Sequence, residues 1–147
     1  SPAIKGVKLN GSGDLYIGKA LTTDDSFTLE SSGSGDAEIA DITASSATVS
    51  LTGSGDAEIG KMTVSSAKFK TSGSGDIEAN EVTAESILVK TTGSGDCYLV
   101  CKDSGTISVE ISGSGDVSIS GTARAIVDIS LTGSGDFDMS GLVLSGE

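Results

Sequence analysis

Histidine and tryptophan are missing from this sequence, proline and arginine occur once each, as Pro2 and Arg124, and the aromatics are two Tyr and three Phe. Without imidazoles, and with so few rings, it lacks the commonest general base and the usual platform for stacking sugars. Basic residues are scarce as well: nine Lys and Arg stand against 21 Asp and Glu, a formal charge of −12. Nucleic-acid binding needs a clustered cationic surface that displaces counterions, so nucleic acid is not an expected partner, and an anionic membrane surface is disfavoured for the same reason. No apolar run reaches the roughly eighteen residues of a spanning helix. The opening residues Ser1-Pro2-Ala3-Ile4-Lys5-Gly6 lack a signal peptide's apolar stretch, so the sequence reads as a soluble chain or the mature part of something longer.

Cysteine is limited to Cys97 and Cys101. On one straight strand they would stand about 13 Å apart, too far for a disulfide, which needs Cα atoms within ~7 Å. A bridge would require a corner between them. The other readings are two small core residues, or metal ligands with no His or further Cys to complete a set.

What the sequence does contain is a repeat. Gly-Ser-Gly-Asp begins at residues 11, 33, 53, 73, 93, 113 and 133, spaced by 22 once and then by 20. After each Asp comes an apolar column, Leu15, Ala37, Ala57, Ile77, Cys97, Val117 and Phe137, and two residues on a second, Ile17, Ile39, Ile59, Ala79, Leu99, Ile119 and Met139. Between them lies the mostly polar set Tyr16, Glu38, Glu58, Glu78, Tyr98, Ser118 and Asp138. A period of two is the signature of a strand with one buried face. A second alternating run closes each coil: Phe27 and Leu29, Ala47 to Leu51, Ala67 and Phe69, Ile87 and Val89, Ile107 to Ile111, then Val127, Ile129 and Leu131. A shorter stretch between the runs contributes Ile42, Met62 and Val82, then loses its pattern at Lys102 and Thr122. No segment has helical spacing.

One such coil is too thin to bury its apolar side. Stacking coils at ~4.8 Å pairs each strand with its neighbours and joins the columns into one core. The expected fold is therefore all-β, a single-stranded right-handed parallel β-helix of about seven 20-residue coils, one domain over 1–147. The handedness comes from the general crossover preference. Left-handed six-residue repeats, propeller blades of about 40 residues and antiparallel sandwiches do not fit the period.

The tetrapeptide itself reads first as a corner, with glycines for positive φ and close backbone approach and Asp accepting bonds from nearby amides. The column Asp14, Asp36, Asp56, Asp76, Asp96, Asp116 and Asp136 carries a cost, because like charges ~5 Å apart repel by about 1 kcal/mol even in water. Backbone amides, Ser hydroxyls, raised pKa values or bound cations could each offset it. These seven aspartates are the candidate calcium ligands, although the Gly-Gly-x-Gly-x-Asp motif of calcium-binding β-rolls, which the tetrapeptide resembles, repeats every nine residues instead.

Tandem units such as Thr52-Gly53-Ser54-Gly55-Asp56-Ala57-Glu58-Ile59, over essentially the whole chain, resemble the bacterial family described as putative auto-transporter adhesin, head GIN domain. The resemblance implies a right-handed parallel β-helix in a secreted or envelope-anchored bacterial protein, an export signal removed upstream, and no catalytic residue that can be placed here. The function expected is a non-enzymatic extracellular or cell-envelope structural or adhesin-like module with an unidentified protein or glycan ligand and no resident cofactor. The alternatives are a calcium-binding solenoid and a carbohydrate-active β-helix enzyme, whose paired acids would cluster in a cleft rather than recur uniformly. Departures from the repeat are where a specific site is expected: the insertion near Leu21-Thr22-Thr23-Asp24-Asp25, the fifth coil with Cys97, Tyr98, Cys101 and Lys102, and Arg124. Open solenoid ends expose strand edges and core, so caps or end-to-end self-association, helped by Leu142, Val143 and Leu144, are expected.

Overall fold

The computed structural model describes residues 6–22 and 26–144, without the side chains of residues 19–21. Thr23, Asp24 and Asp25, the centre of the expected insertion, lie outside the described residues. The chain forms β1 (Gly6–Gly11), β2 (Leu15–Thr22), β3 (Ser26–Gly33), β4 (Ala37–Thr43), β5 (Ser46–Gly53), β6 (Ala57–Thr63), β7 (Ser66–Gly73), β8 (Ile77–Thr83), β9 (Ser86–Gly93), β10 (Cys97–Gly113), β11 (Val117–Gly133), β12 (Phe137–Asp138) and β13 (Leu142–Leu144), and no helix among the described residues. All pairings are parallel. Strands β2, β4, β6 and β8 stack into one face and β1, β3, β5, β7 and β9 into a second, while β10 and β11 run round the bend and serve both. Gly11 pairs with Gly33, then Gly33 with Gly53 and Gly53 with Gly73, so the structural register reproduces the sequence spacing. The arrangement is the expected β-solenoid of about seven turns.

The inward columns make one continuous core. Phe27, Leu29, Ile39, Ile42, Val49, Ile59, Met62, Phe69, Ile77, Val89, Leu99, Ile107 and Val109 are at most 1% exposed. Large and small residues alternate between coils, as where Phe69 stacks between Val49 and Val89 and Ala79 lies between Ile59 and Leu99. That interdigitation lets a two-walled interior fill without aromatic bulk.

Among the described residues the register shifts between Ile17 and Ala20, between Leu99 and Cys101, between Cys101 and Ser104 and between Ile107 and Ser108. A register shift after Leu99 sets Cys101 opposite Val82, so buried Cys101 continues the Ile42–Met62–Val82 column while Lys102 points into solvent. The shift between Cys101 and Ser104 sets Ile126 opposite Ile107, and the one between Ile107 and Ser108 sets Asp128 opposite Ser108, leaving Val127 as an extra residue, 62% exposed. Val127 is therefore not part of the inward run to which its spacing assigned it; the bulge hands that place to Ile126, which packs against the core.

Candidate functional site

The structure gives the Asp column a backbone role. The amide of Asp36 donates to Oδ1 of Asp14 at 3.0 Å, and Asp56, Asp76, Asp96, Asp116 and Asp136 each donate likewise to the Asp one coil earlier, at 2.8–3.0 Å. Each of these amide-to-carboxylate bonds is a charge-assisted hydrogen bond between successive coils, which opposes the repulsion along the column. The main chain is knitted at the same corner. Ser54 and Gly55 both donate to the Gly33 carbonyl, at 3.0 and 3.1 Å, and Ala37 donates to the Asp56 carbonyl at 2.8 Å, a pattern repeated in the coils that follow.

The two glycines of each corner serve different purposes. The first, as at Gly53, has φ +108 and needs the left-handed region. The second, as at Gly55, has no positive φ, but a Cβ there would run into the Gly35 carbonyl oxygen of the preceding coil. The seven aspartates thus lie in one ladder as the spacing predicts, and among the described residues no three Asp, Glu, Cys or His converge in an arrangement that could hold a metal ion.

Cys97 and Cys101 are free, buried thiols. Burial, partly countered by the neighbouring Ser104 side chain, leaves the Cys101 thiol pushed up to about 11. Burial and then the Asp76 and Asp96 carboxylates raise Cys97 further still. Neither is a nucleophile near neutral pH. Tyr98, 46% exposed, stands outward beside the acidic columns, and the Asp96 carboxylate leads the groups that raise its phenol above the ordinary value.

Arg124 lies at the opposite corner, between the two faces. An open groove of about 520 Å³ runs there over coils three to seven. Its floor is Val64, Ala84 and Ala123, each at most 7% exposed, and its rim carries Thr63, Thr83, Glu85, Asp103 and Arg124. Asp103 is the one described residue other than glycine with positive φ, 51°; its amide donates to Thr122 Oγ1 at 2.8 Å. Ser104 is buried and satisfied: its hydroxyl donates to the Val82 carbonyl at 2.9 Å and accepts from the Ala84 amide at 3.4 Å. Arg124 has no ion-pair partner among the described residues. Among the residues singled out from the sequence, Arg124 lies on this groove, while Cys97, Tyr98, Cys101 and Lys102 do not. Asp103 and Ser104 were not singled out; the only signal was the pattern lost at Lys102. The arrangement offers an apolar floor with hydroxyls, two acids and one guanidinium around it.

No curated protein and no solved structure gives a significant match to the chain. Residues 1–123 match the model of one family. They carry six of the seven Gly-Ser-Gly-Asp corners and the whole groove except Val143 and Arg124, and on that match the chain belongs to the putative auto-transporter adhesin, head GIN domain family.

Proposed function

We propose that the chain is a non-enzymatic, adhesin-like module of the bacterial envelope or its exterior, a rigid acidic rod that takes a protein or glycan ligand in the groove at Arg124 and associates through its ends. The observation that carries the reading is this single guanidinium, unpaired among the described residues, on an apolar-floored groove in a chain of adhesin-head kinship. A non-enzymatic role is supported by the placement of the acids, one per coil and bonded to backbone, where hydrolysis of sugars would call for two facing each other across a cleft.

The test is binding of the chain to a panel of immobilised glycans and extracellular-matrix proteins. Capture by a member of the panel, lost in Arg124→Glu at an unchanged melting temperature, is the expected result. Capture that Arg124→Glu leaves intact, or none at all, overturns the groove as the binding site. The Asp ladder is proposed to need no cation, since amides already engage its oxygens. Calcium added after chelation should then give no heat and no shift in melting temperature, and heat with a higher melting temperature would make the column a metal ladder.

A further inference from the structure

The two faces of the rod carry charge differently. On the first face Glu38, Glu58 and Glu78 stack in register, exposed, next to the Asp ladder. On the second face the exposed side chains of Lys68 and Lys70 in β7 and Lys90 in β9 form a cationic patch, in a chain of net charge −12. Lys70 stands directly opposite Lys90, and like charges so placed cost stability. Little inside the chain relieves that cost. Lys90 Nζ lies 4.0 Å from Glu110 Oε1 with both side chains about half exposed, and Lys68 and Lys70 have no ion-pair partner among the described residues. An exposed pair of that kind contributes little.

Hydroxyls surround the lysines. Thr52, Ser72 and Thr92 run in register across three coils, beside the row Ser50, Lys70 and Lys90, and together the two rows line an open hollow of about 300 Å³. Among the described residues none of these four hydroxyls makes a hydrogen bond. Rings are missing from this face: Phe27 and Phe69 point into the core, while Tyr16, Tyr98 and Phe137 belong to strands or strand halves of the first face. A neutral sugar would have no aromatic platform to stack on, so attraction here has to come from charge.

We propose that the second face docks an acidic polysaccharide, its carboxylates on Lys70 and Lys90 and its sugar hydroxyls on Ser50, Thr52, Ser72 and Thr92. The occupant follows from complementarity. Carboxylates spaced along a hydroxyl-rich polymer match two adjacent ammonium groups flanked by free hydroxyls, and each contact is a charge-assisted hydrogen bond. An acidic protein segment would use the lysines and leave the hydroxyl rows idle. The acids of the first face lie round the corner, and screening over ~8 Å at physiological salt keeps their repulsion from cancelling a local contact. This surface shares no residue with the Arg124 groove, and neither reading depends on the other.

Retention of the chain on immobilised carboxymethyl-dextran, with plain dextran as the uncharged polymer, tests it. The wild-type chain is expected to bind the charged polymer alone and to be released by about 0.5 M salt. Lys70→Ser/Lys90→Ser changes two exposed positions, so it should melt as wild type and bind about tenfold more weakly, while Arg124→Glu binds as wild type does. Thr52→Val/Ser72→Ala/Thr92→Val should weaken binding to carboxymethyl-dextran and leave binding to poly-glutamate, the stand-in for an acidic protein, unchanged. No retention, or retention that the lysine variant keeps in full, overturns the proposal. Retention lost in Arg124→Glu and kept in the lysine variant also overturns it, and leaves the groove reading standing. A hydroxyl variant that binds carboxymethyl-dextran as well as the wild-type chain does overturns the polysaccharide as occupant, because the lysines would then accept any polyanion.

Discussion

Each coil turns two corners, and they obey different rules. At the Gly-Ser-Gly-Asp corner backbone lies on backbone: amides, carbonyls and one carboxylate of successive coils bond to each other, and a second-glycine Cβ strikes the coil before. That corner recurs seven times without a change. At the opposite corner main-chain bonds also join successive coils, as from Ser65 to the Ser45 carbonyl and from Glu85 to the Ser65 carbonyl, both at 2.9 Å, but the sequence there varies: Thr43-Ala44-Ser45-Ser46, Thr63-Val64-Ser65-Ser66, Thr83-Ala84-Glu85-Ser86, Asp103-Ser104-Gly105-Thr106 and Thr122-Ala123-Arg124-Ala125. The groove that holds Arg124 opens there, beside the register shifts of β10 and β11. Invariance marks where a solenoid cannot yield; freedom to vary marks where it can acquire a ligand.

The hardest way to break the comparison is Gly55→Ala. The new methyl would meet the Gly35 carbonyl, and a clash between main chains has no side-chain rotation to relieve it. A loss of about 3 kcal/mol or more is expected, read as a fall in melting temperature of roughly 10 °C or as insoluble expression. An alanine tolerated at 55 would mean that the corner is not backbone-limited.

The next effect comes from the thiol that took up the register slip. Cys101 stays neutral in the folded chain up to about 11, while an unfolded thiol ionises near 9.0. Below the lower value both states are neutral and the thiol has no influence; above it the unfolded state is favoured, so stability falls as pH rises from about 9 towards 11. The loss is on the order of 2 kcal/mol at the upper limit. Thermal melts across that window should decline more steeply for the wild-type chain than for Cys101→Ala, since the two chains differ only in that thiol. Neither Cys97 nor Cys101 should react with a thiol reagent at pH 8 until the chain is unfolded.

Smaller again is the carboxylate of the first corner. Asp56→Ala removes the acceptor of the Asp76 amide at an exposed position where water partly substitutes, for a cost of about 1 kcal/mol. Asp56→Asn keeps an oxygen for that amide and removes a charge from the column, so it should melt within a few degrees of wild type. An Asn variant as damaged as the Ala variant would show that charge, rather than hydrogen bonding, is what the column needs.

Much of this architecture is legible in the sequence because a 20-residue solenoid repeats one physical problem: the columns of Ile39, Ile59, Val49 and Phe69 and the Asp ladder follow from spacing alone. The fifth and sixth coils are not legible in that way. Cys101 for Lys102 and Ile126 for Val127 are one-residue slips, and a slip is invisible to an alignment that assumes constant period; it is selected by which side chain can be buried. The Arg124 groove was half legible, as a departure from the repeat, but Asp103 and Ser104 acquire their roles only from the shifted backbone around them.

The smallest expected effect lies at the corner that yields. Asp103 holds φ 51°, a region that costs most L-residues about 1–2 kcal/mol and Asp somewhat less. Asp103→Gly removes that cost and gives up the 3.5 Å contact from the Thr122 hydroxyl, while the Asp103 amide to Thr122 Oγ1 bond belongs to the main chain and stays. The two changes oppose each other, so the melting temperature should remain within about 2 °C of wild type. Asp103→Val keeps a β-branched residue in a left-handed conformation and should lose about 1–2 kcal/mol. A glycine that is harmless at 103 beside an alanine that is ruinous at 55 places the rigidity of the rod in one corner and its capacity for change in the other.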